Sequence, residues 1–256
     1  MRLALILLML LVPLSVRAAS DDEIFAAYAH GEYEQAIRMG EASGTAPGLA
    51  IAARAALADD VLRDAPCLAC LERAEKLARQ AIAVDPHNAF GQVWLAVALG
   101  YQARIIGALK ARMKNMPAQS RAALERAVAD EPGNAFAASA LGGWHIEVVR
   151  GGGATLARLF YGARESEAMA LFDRAVRLAP GNVAVRYQIA LSLAGFDAAK
   201  YQARIVSELK ASISDRPETA YEKKVQARAA ELLGLMNQSG HDAFDTRVRK
   251  YQGFPD

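Results

Sequence analysis

Two cysteines and four histidines in 256 residues leave little material for metal or redox chemistry. A structural zinc site takes four close-spaced ligands, and His30, His87, His145 and His241 are scattered along the chain. Net charge is also scarce, at 30 Lys and Arg against 28 Asp and Glu. Setting aside Arg2 and Arg17 in the N-terminal segment leaves 28 of each sign, so the strong positive field that phosphate backbones require is missing. Nucleic acid is therefore not an expected partner. No stretch alternates apolar and polar residues as a half-buried strand does. The longest apolar run, LALILLMLLVPL, falls short of the ~20 residues of a spanning helix, and Pro13 interrupts it.

That run reads instead as the core of a secretory signal over residues 1–18, with Arg2 as its positive start and Val16-Arg17-Ala18 as its cleavage site. An uncleaved anchor is the alternative. No cysteine follows the run, so a lipid-anchored start is not expected. The expected product is periplasmic or secreted, with a folded region over 22–238 and a C-terminal tail over 239–256.

Hydrophobic residues make up 53% of the chain and alanine dominates them, which favours closely packed helices. Their spacing repeats. Ala138-x-x-Leu141-Gly142-x-x-His145 is followed by Ala168-x-x-x-Phe172-x-x-Ala175-x-x-x-x-Pro180. The second pattern recurs as Ala74, Ala78, Ala81 and Pro86, and again as Ser120, Leu124, Ala127 and Pro132. This grammar resembles that of the tetratricopeptide repeat (TPR), a helical hairpin that stacks on copies of itself. The resemblance implies an all-α solenoid of about five hairpins with a C-terminal capping helix over about 218–237.

Each proline stops a helix because it lacks an N–H and clashes with the preceding turn. Asn88, Asn134 and Asn182 follow two residues later and are expected to cap the next helix. Pro86 to Pro132 spans 46 residues and Pro132 to Pro180 spans 48. A minimal repeat has about 34, so both hairpins carry insertions, YQARIIGALKARMKNMPAQ and VRGGGATLARLFYGARES. Insertions at equivalent points are expected to emerge from one edge of the solenoid.

A narrower likeness lies in ALERAVADEPGNAFAASALGGWHIEVV, LARLFYGA and EKKVQARAAELL, taken in that order. Together they resemble the TPR core of the regulator of microtubule dynamics family and its bacterial relatives. That resemblance implies a helical adaptor without catalysis and, in animals, an association with microtubules. It carries over an architecture and no binding residue.

Candidate chemistry is sparse, and neither an enzyme nor a cofactor is expected. Cys67-Leu68-Ala69-Cys70 follows Pro66 at a helix start, where backbone N–H groups lower a thiol pKa. The βαβ setting of redox CxxC motifs is absent, and Leu71 stands where haem attachment needs His. The pair reads as a disulfide or as buried thiols, with redox work and metal binding as the other readings. Trp144-His145 with Glu147 offers acid–base groups, but His145 stands at an inward position and is expected to pack between helices. Gly151-Gly152-Gly153 lacks the Gly-Lys-Ser/Thr ending of a phosphate loop. Tyr101-Gln102-Ala103-Arg104-Ile105 recurs at 201–205, and its first copy continues with Lys110, Arg112 and Lys114. This basic segment, 101–114, is a candidate for membrane-surface contact or an acidic partner; an ordinary amphipathic hairpin helix is the other reading.

The first helices of successive hairpins predict a concave groove. It is expected to be lined by Phe90, Val93 and Val97, by Phe136, Ser139 and Gly143, and by Ala184, Tyr187 and Leu191. That lining is apolar and lacks the Lys and Asn cluster that clamps a terminal carboxylate in chaperone-binding TPRs. The expected function is an exported adaptor that binds a protein or peptide in this groove. The alternative is a carrier or receptor component for a small apolar or lipid-like ligand. A thiol–disulfide enzyme is a third reading. An open groove favours the adaptor and a closed cavity the carrier; a groove filled by insertions or by the terminal helix would serve neither.

Overall fold

The computed structural model describes residues 19–63, 67–236 and 242–255. The expected secretory segment and Pro66 lie outside them. Thirteen helices, and no strand, are found among the described residues. In chain order they are α1 (Asp21–His30), α2 (Tyr33–Ser43), α3 (Ala46–Val61), α4 (Leu68–Val84), α5 (Ala89–Ile106), α6 (Ala108–Met113) and α7 (Met116–Asp130). They continue as α8 (Ala135–Tyr161), α9 (Glu165–Leu178), α10 (Val183–Asp197), α11 (Gln202–Ser214), α12 (Ala220–Met236) and α13 (Asp242–Tyr251). Antiparallel hairpins form from α1–α2, α3–α4, α5–α7, α8–α9 and α10–α11, which makes the fold an all-α solenoid.

Local chemistry sets the boundaries. Asn88, Asn134 and Asn182 each accept a bond from the backbone N–H three residues on, at 2.7, 3.0 and 2.9 Å. Such caps satisfy an otherwise orphaned helix donor and contribute about 1 kcal/mol each. The small residues sit where helices meet. Ala74, Ala78, Ala81, Ala127, Ala168 and Ala175 are fully buried, and Phe172 packs beside Gly142.

The core has two parts. One joins α1 to α8 and the other joins α8 to α13, with Phe136, Phe196 and Tyr221 packed against both.

Two departures from a simple stack shape everything else. The first is closure. Helix α12 reaches back across the concave face, where Ala220 packs beside Gly31 and Arg228 donates to the carbonyls of Val61 and Leu62, both at 2.9 Å. The solenoid is thus a ring, and α12 joins its two ends as well as capping the last hairpin. The second concerns residues 239–256, expected as a tail. Residues 242–251 form α13, which buries Phe244, Val248 and Tyr251 against α10 and α12. Beyond it, the Gln252 side chain donates to Leu191 O at 3.1 Å. Gly195 leaves room for that side chain, since a Cβ there would lie 2.0 Å from Nε2. The 3.6-residue pattern of Phe244, Val248 and Tyr251 was the available signal for this helix.

Replacing Gly142 by Leu is expected to be among the most damaging single changes. An added Cβ alone would lie 2.7 Å from two atoms of the Phe172 ring and 3.2 Å from the Ala168 carbonyl. Overpacking of this kind costs about 1–3 kcal/mol, and shared interfaces pass the loss to neighbouring hairpins. Urea denaturation should show a lower midpoint; an unchanged midpoint contradicts this packing.

A candidate ligand cavity inside the helical ring

Ring closure turns the concave face inward. It leaves a partly open cavity of about 210 Å3, walled mainly by α3, α5, α8 and α10, with Tyr28 from α1, Ser120 and Leu124 from α7 and Tyr221 from α12. Most of the wall is apolar, and its charged groups stand at two places, Arg54 at one and the paired Arg104 and Glu147 at the other.

At one end stands Arg54. Its guanidinium carbon lies 4.5, 5.3 and 5.0 Å from the ring centres of Tyr28, Trp94 and Phe136. Phe25 is 5.9 Å away, and Phe90 stacks on Trp94 at 6.2 Å. Among the described residues no carboxylate pairs with Arg54. Aromatic faces attract a cation through their quadrupoles, and Arg54 also hydrogen-bonds the Tyr28 phenol, which leaves the rest of its five donors without a carboxylate. Burial raises the pKa of the neighbouring Tyr28 phenol, with Arg54 opposing it, so this phenol stays neutral beside the cation.

At the other place Glu147 is fully engaged, accepting from Arg104 at 3.1 Å and Arg150 at 2.6 Å. Burial alone would raise its pKa, but Arg104 and then Arg150 hold it below the usual carboxylate range. Arg104 also donates to the Gln252 carbonyl at 2.7 Å. Phe254 is clamped by the guanidinium groups of Arg150, Arg249 and Arg104, at 4.7, 5.0 and 5.7 Å. The chain's C-terminal segment therefore packs against this region.

Six of the nine expected groove residues line the cavity: Val93, Val97, Phe136, Ser139, Gly143 and Ala184. Phe90 does not line it; 37% exposed, it packs against the Trp94 and Phe136 rings that do. Tyr187 and Leu191 do not line it; they are only 1% and 3% exposed, within the core of the last hairpins. On α10 the cavity-facing stripe is Ala184, Val185, Gln188 and Ser192, one position on from the expected register after Ala184. The groove is therefore lined on α10 by a different face from the one expected. Sequence reasoning missed Arg54, although a signal existed: it is the lone charged residue between Ala46 and Ala58.

The other candidates are also placed. Cys67 and Cys70 form a disulfide at the start of α4, with Cys67 Sγ accepting from Cys70 N at 3.2 Å. Asp60 accepts from Cys67 N at 2.8 Å. Its carboxylate and the two sulfurs lie within 4.8 Å of one another, but disulfide sulfurs offer no thiolate to a metal. The segment 101–114 is not one helix. It breaks at Gly107, and Arg104 turns inward, away from the exposed Lys110, Arg112 and Lys114. Tyr101 lies within α5, which continues to Ile106, while Tyr201 precedes α11, so the two YQARI copies are not structural equivalents.

His145 and Glu147 do not act as a pair. His145 faces away from the cavity, and its Nδ1 accepts the Arg164 N–H at 3.1 Å, at the start of α9. It packs edge-on to Trp144 at 5.1 Å. Burial pushes its pKa below the ordinary value; Glu167 and Glu125 oppose this, and Arg121 and Arg164 add to it.

A depressed histidine pKa means that the unfolded chain binds the proton more readily. Stability from His145 is therefore complete above the unfolded pKa of about 6.5 and declines as pH falls through that value toward the folded one. His145→Gln, which keeps an acceptor and cannot titrate, should flatten this slope in melting curves between neutral and mildly acidic pH. An equal slope in both proteins would remove His145 as the cause.

Residues 53–237, most of the ring, match the family model described as regulator of microtubule dynamics protein 1-3. No curated protein matches the chain. The match begins within α3 beside Arg54 and runs through α12, so it spans four hairpins and the closing helix. The chain belongs to the regulator of microtubule dynamics protein 1-3 family.

Proposed function

We propose that the chain is a carrier or receptor component that takes up a compact ligand with an apolar body and an anionic end. The observation that carries this reading is Arg54, a cation held among aromatic rings at an apolar cavity with no carboxylate of its own. An apolar wall with a few placed polar groups is the usual composition of a small-molecule site. The volume suits a modest ligand, since an engineered apolar cavity of about 150 Å3 takes up benzene. In this reading the protein is exported, cleaved after the N-terminal segment, and free of catalysis. An exported chain would not meet microtubules, so that partner is not carried over.

The second reading is the adaptor. The helical family fold fits a protein-interaction scaffold, and the exposed rings of Phe25 and Phe90 beside Arg54 favour it. A partner would then present a terminal carboxylate at the rim and leave the cavity empty.

Calorimetry with octanoate and with octanol separates the two. Octanoate should bind, and Arg54→Gln should cost it the share of a charged hydrogen bond, about 1.5–3 kcal/mol or roughly ten- to a hundredfold in affinity. Octanol should bind more weakly and be indifferent to that change. Gly143→Leu should block both ligands, because Gly143 faces the cavity and an added Cβ would meet only Ser192 Oγ, at 3.5 Å. Binding that survives Gly143→Leu places the ligand outside the cavity and contradicts the carrier.

A further inference from the structure

The two inserted segments build the same device twice. Gly107 has φ 85° and ψ 155°, and Gly153 has φ 72° and ψ 156°. That region of backbone space is essentially reserved for glycine. Each glycine breaks the first helix of its hairpin and launches a short second piece, α6 in one case and residues 154–161 in the other. Ala111 and Ala157 occupy matching places, 46 residues apart, and are buried. Arg112 and Met113 are matched by Arg158 and Leu159, all exposed. The two pieces meet where the Arg112 guanidinium lies 5.6 Å from the Phe160 ring.

What they present is unusual for this chain. Leu109, Met113, Leu156, Leu159 and Phe160 are between 53% and 79% exposed, and they account for most of the exposed large apolar side chains among the described residues. A clustered apolar patch on a folded surface marks a place of contact. The surrounding charge has one sign. No Asp or Glu occurs in 104–124 or in 148–164, although acidic and basic residues are nearly balanced in the whole chain. Lys110, Arg112, Lys114 and Arg158 have no carboxylate partner among the described residues. None of these residues lines the cavity.

We propose that this edge docks on an anionic lipid bilayer. Apolar side chains that project from helix ends, with unpaired cations beside them, match the layered chemistry of a membrane surface. The chains enter the acyl boundary while the cations stay among anionic headgroups. An acidic protein would match the charge, but side chains as apolar and as exposed as Leu109, Met113 and Leu159 call for an apolar layer beneath the charges. The repeated glycine break accounts for the placement, because it turns both pieces out at one edge and leaves the ring intact. The proposal is independent of the cavity reading; no helix among the described residues is long and apolar enough to cross a membrane, so the contact is peripheral.

The test is co-sedimentation of the purified chain with vesicles of phosphatidylcholine alone and of phosphatidylcholine with phosphatidylglycerol. Binding is expected to the mixed vesicles, to weaken as salt shortens the reach of charge, and to be slight on phosphatidylcholine. Two variants follow, one with Lys110→Glu, Arg112→Glu, Lys114→Glu and Arg158→Glu, the other with Leu159→Ser and Phe160→Ser. Each should lower the partition coefficient by about tenfold or more, with unchanged circular dichroism and unchanged octanoate calorimetry. Should a variant fail to fold, the salt and lipid dependence of the unaltered chain decides the matter. The proposal is overturned by equal binding to both vesicle types, by binding that neither variant weakens, or by no vesicle binding, including the case where the edge captures an acidic protein instead.

Discussion

The closure of this solenoid turns on Arg228, working beside the packing of Ala220 against Gly31 and of Tyr221 against both halves of the core. Arg228 donates to the carbonyls of Val61 and Leu62 and lies 4.4 Å from the Tyr251 ring centre. Those carbonyls belong to the unsatisfied C-terminal turn of α3, where the helix dipole is negative, so a cation there is doubly favoured. The same guanidinium thus joins α3, α12 and α13. Without closure α12 would be only a cap on the last hairpin, and the concave face would lose the wall that Tyr221 supplies. With it, the face becomes the wall of a cavity and Arg54 is kept among aromatic rings.

Closure also explains the division of labour around the ring. Arg104 and Glu147, at the edge of the cavity, are spent on holding the C-terminal segment, whose Phe254 sits among three guanidinium groups. Arg54 has no such use. The inserted pieces after Gly107 and Gly153 lie apart from the cavity and contribute nothing to its wall. Two chemically distinct surfaces therefore coexist, an inward aromatic–cation pocket and an outward apolar–basic edge.

The hairpins were legible because their rules are local. Asn88, Asn134 and Asn182 cap helices through bonds three residues long, and Ala168 or Phe172 reveals its inward face by spacing alone. The stretch EKKVQARAAELL even carried the family likeness, yet the role of Arg228 within it was not readable. Its partners lie 166 and 167 residues away, and no periodicity encodes a contact of that span. The same limit misplaced the α10 stripe. Tyr187 and Gln188 are neighbours on the helix, and only the position of α12 decides that Gln188, bonded to Tyr221 at 3.0 Å, faces the cavity. Arg54 was visible as a lone charge in an alanine-rich helix, but its meaning depends on rings from α1, α5 and α8 that sequence spacing does not bring together.

Hydrogen–deuterium exchange on Arg228→Met tests the central claim most directly. Methionine keeps the apolar stem and removes both donors to the α3 carbonyls. If the bond closes the ring, protection should fall together at the end of α3 and along α12 and α13, while α5 to α9 keep theirs. Protection that falls only in α12, or nowhere, would mean that the ends are joined by other contacts or not joined in solution, and Arg228 would lose its place as the bond that shapes the cavity.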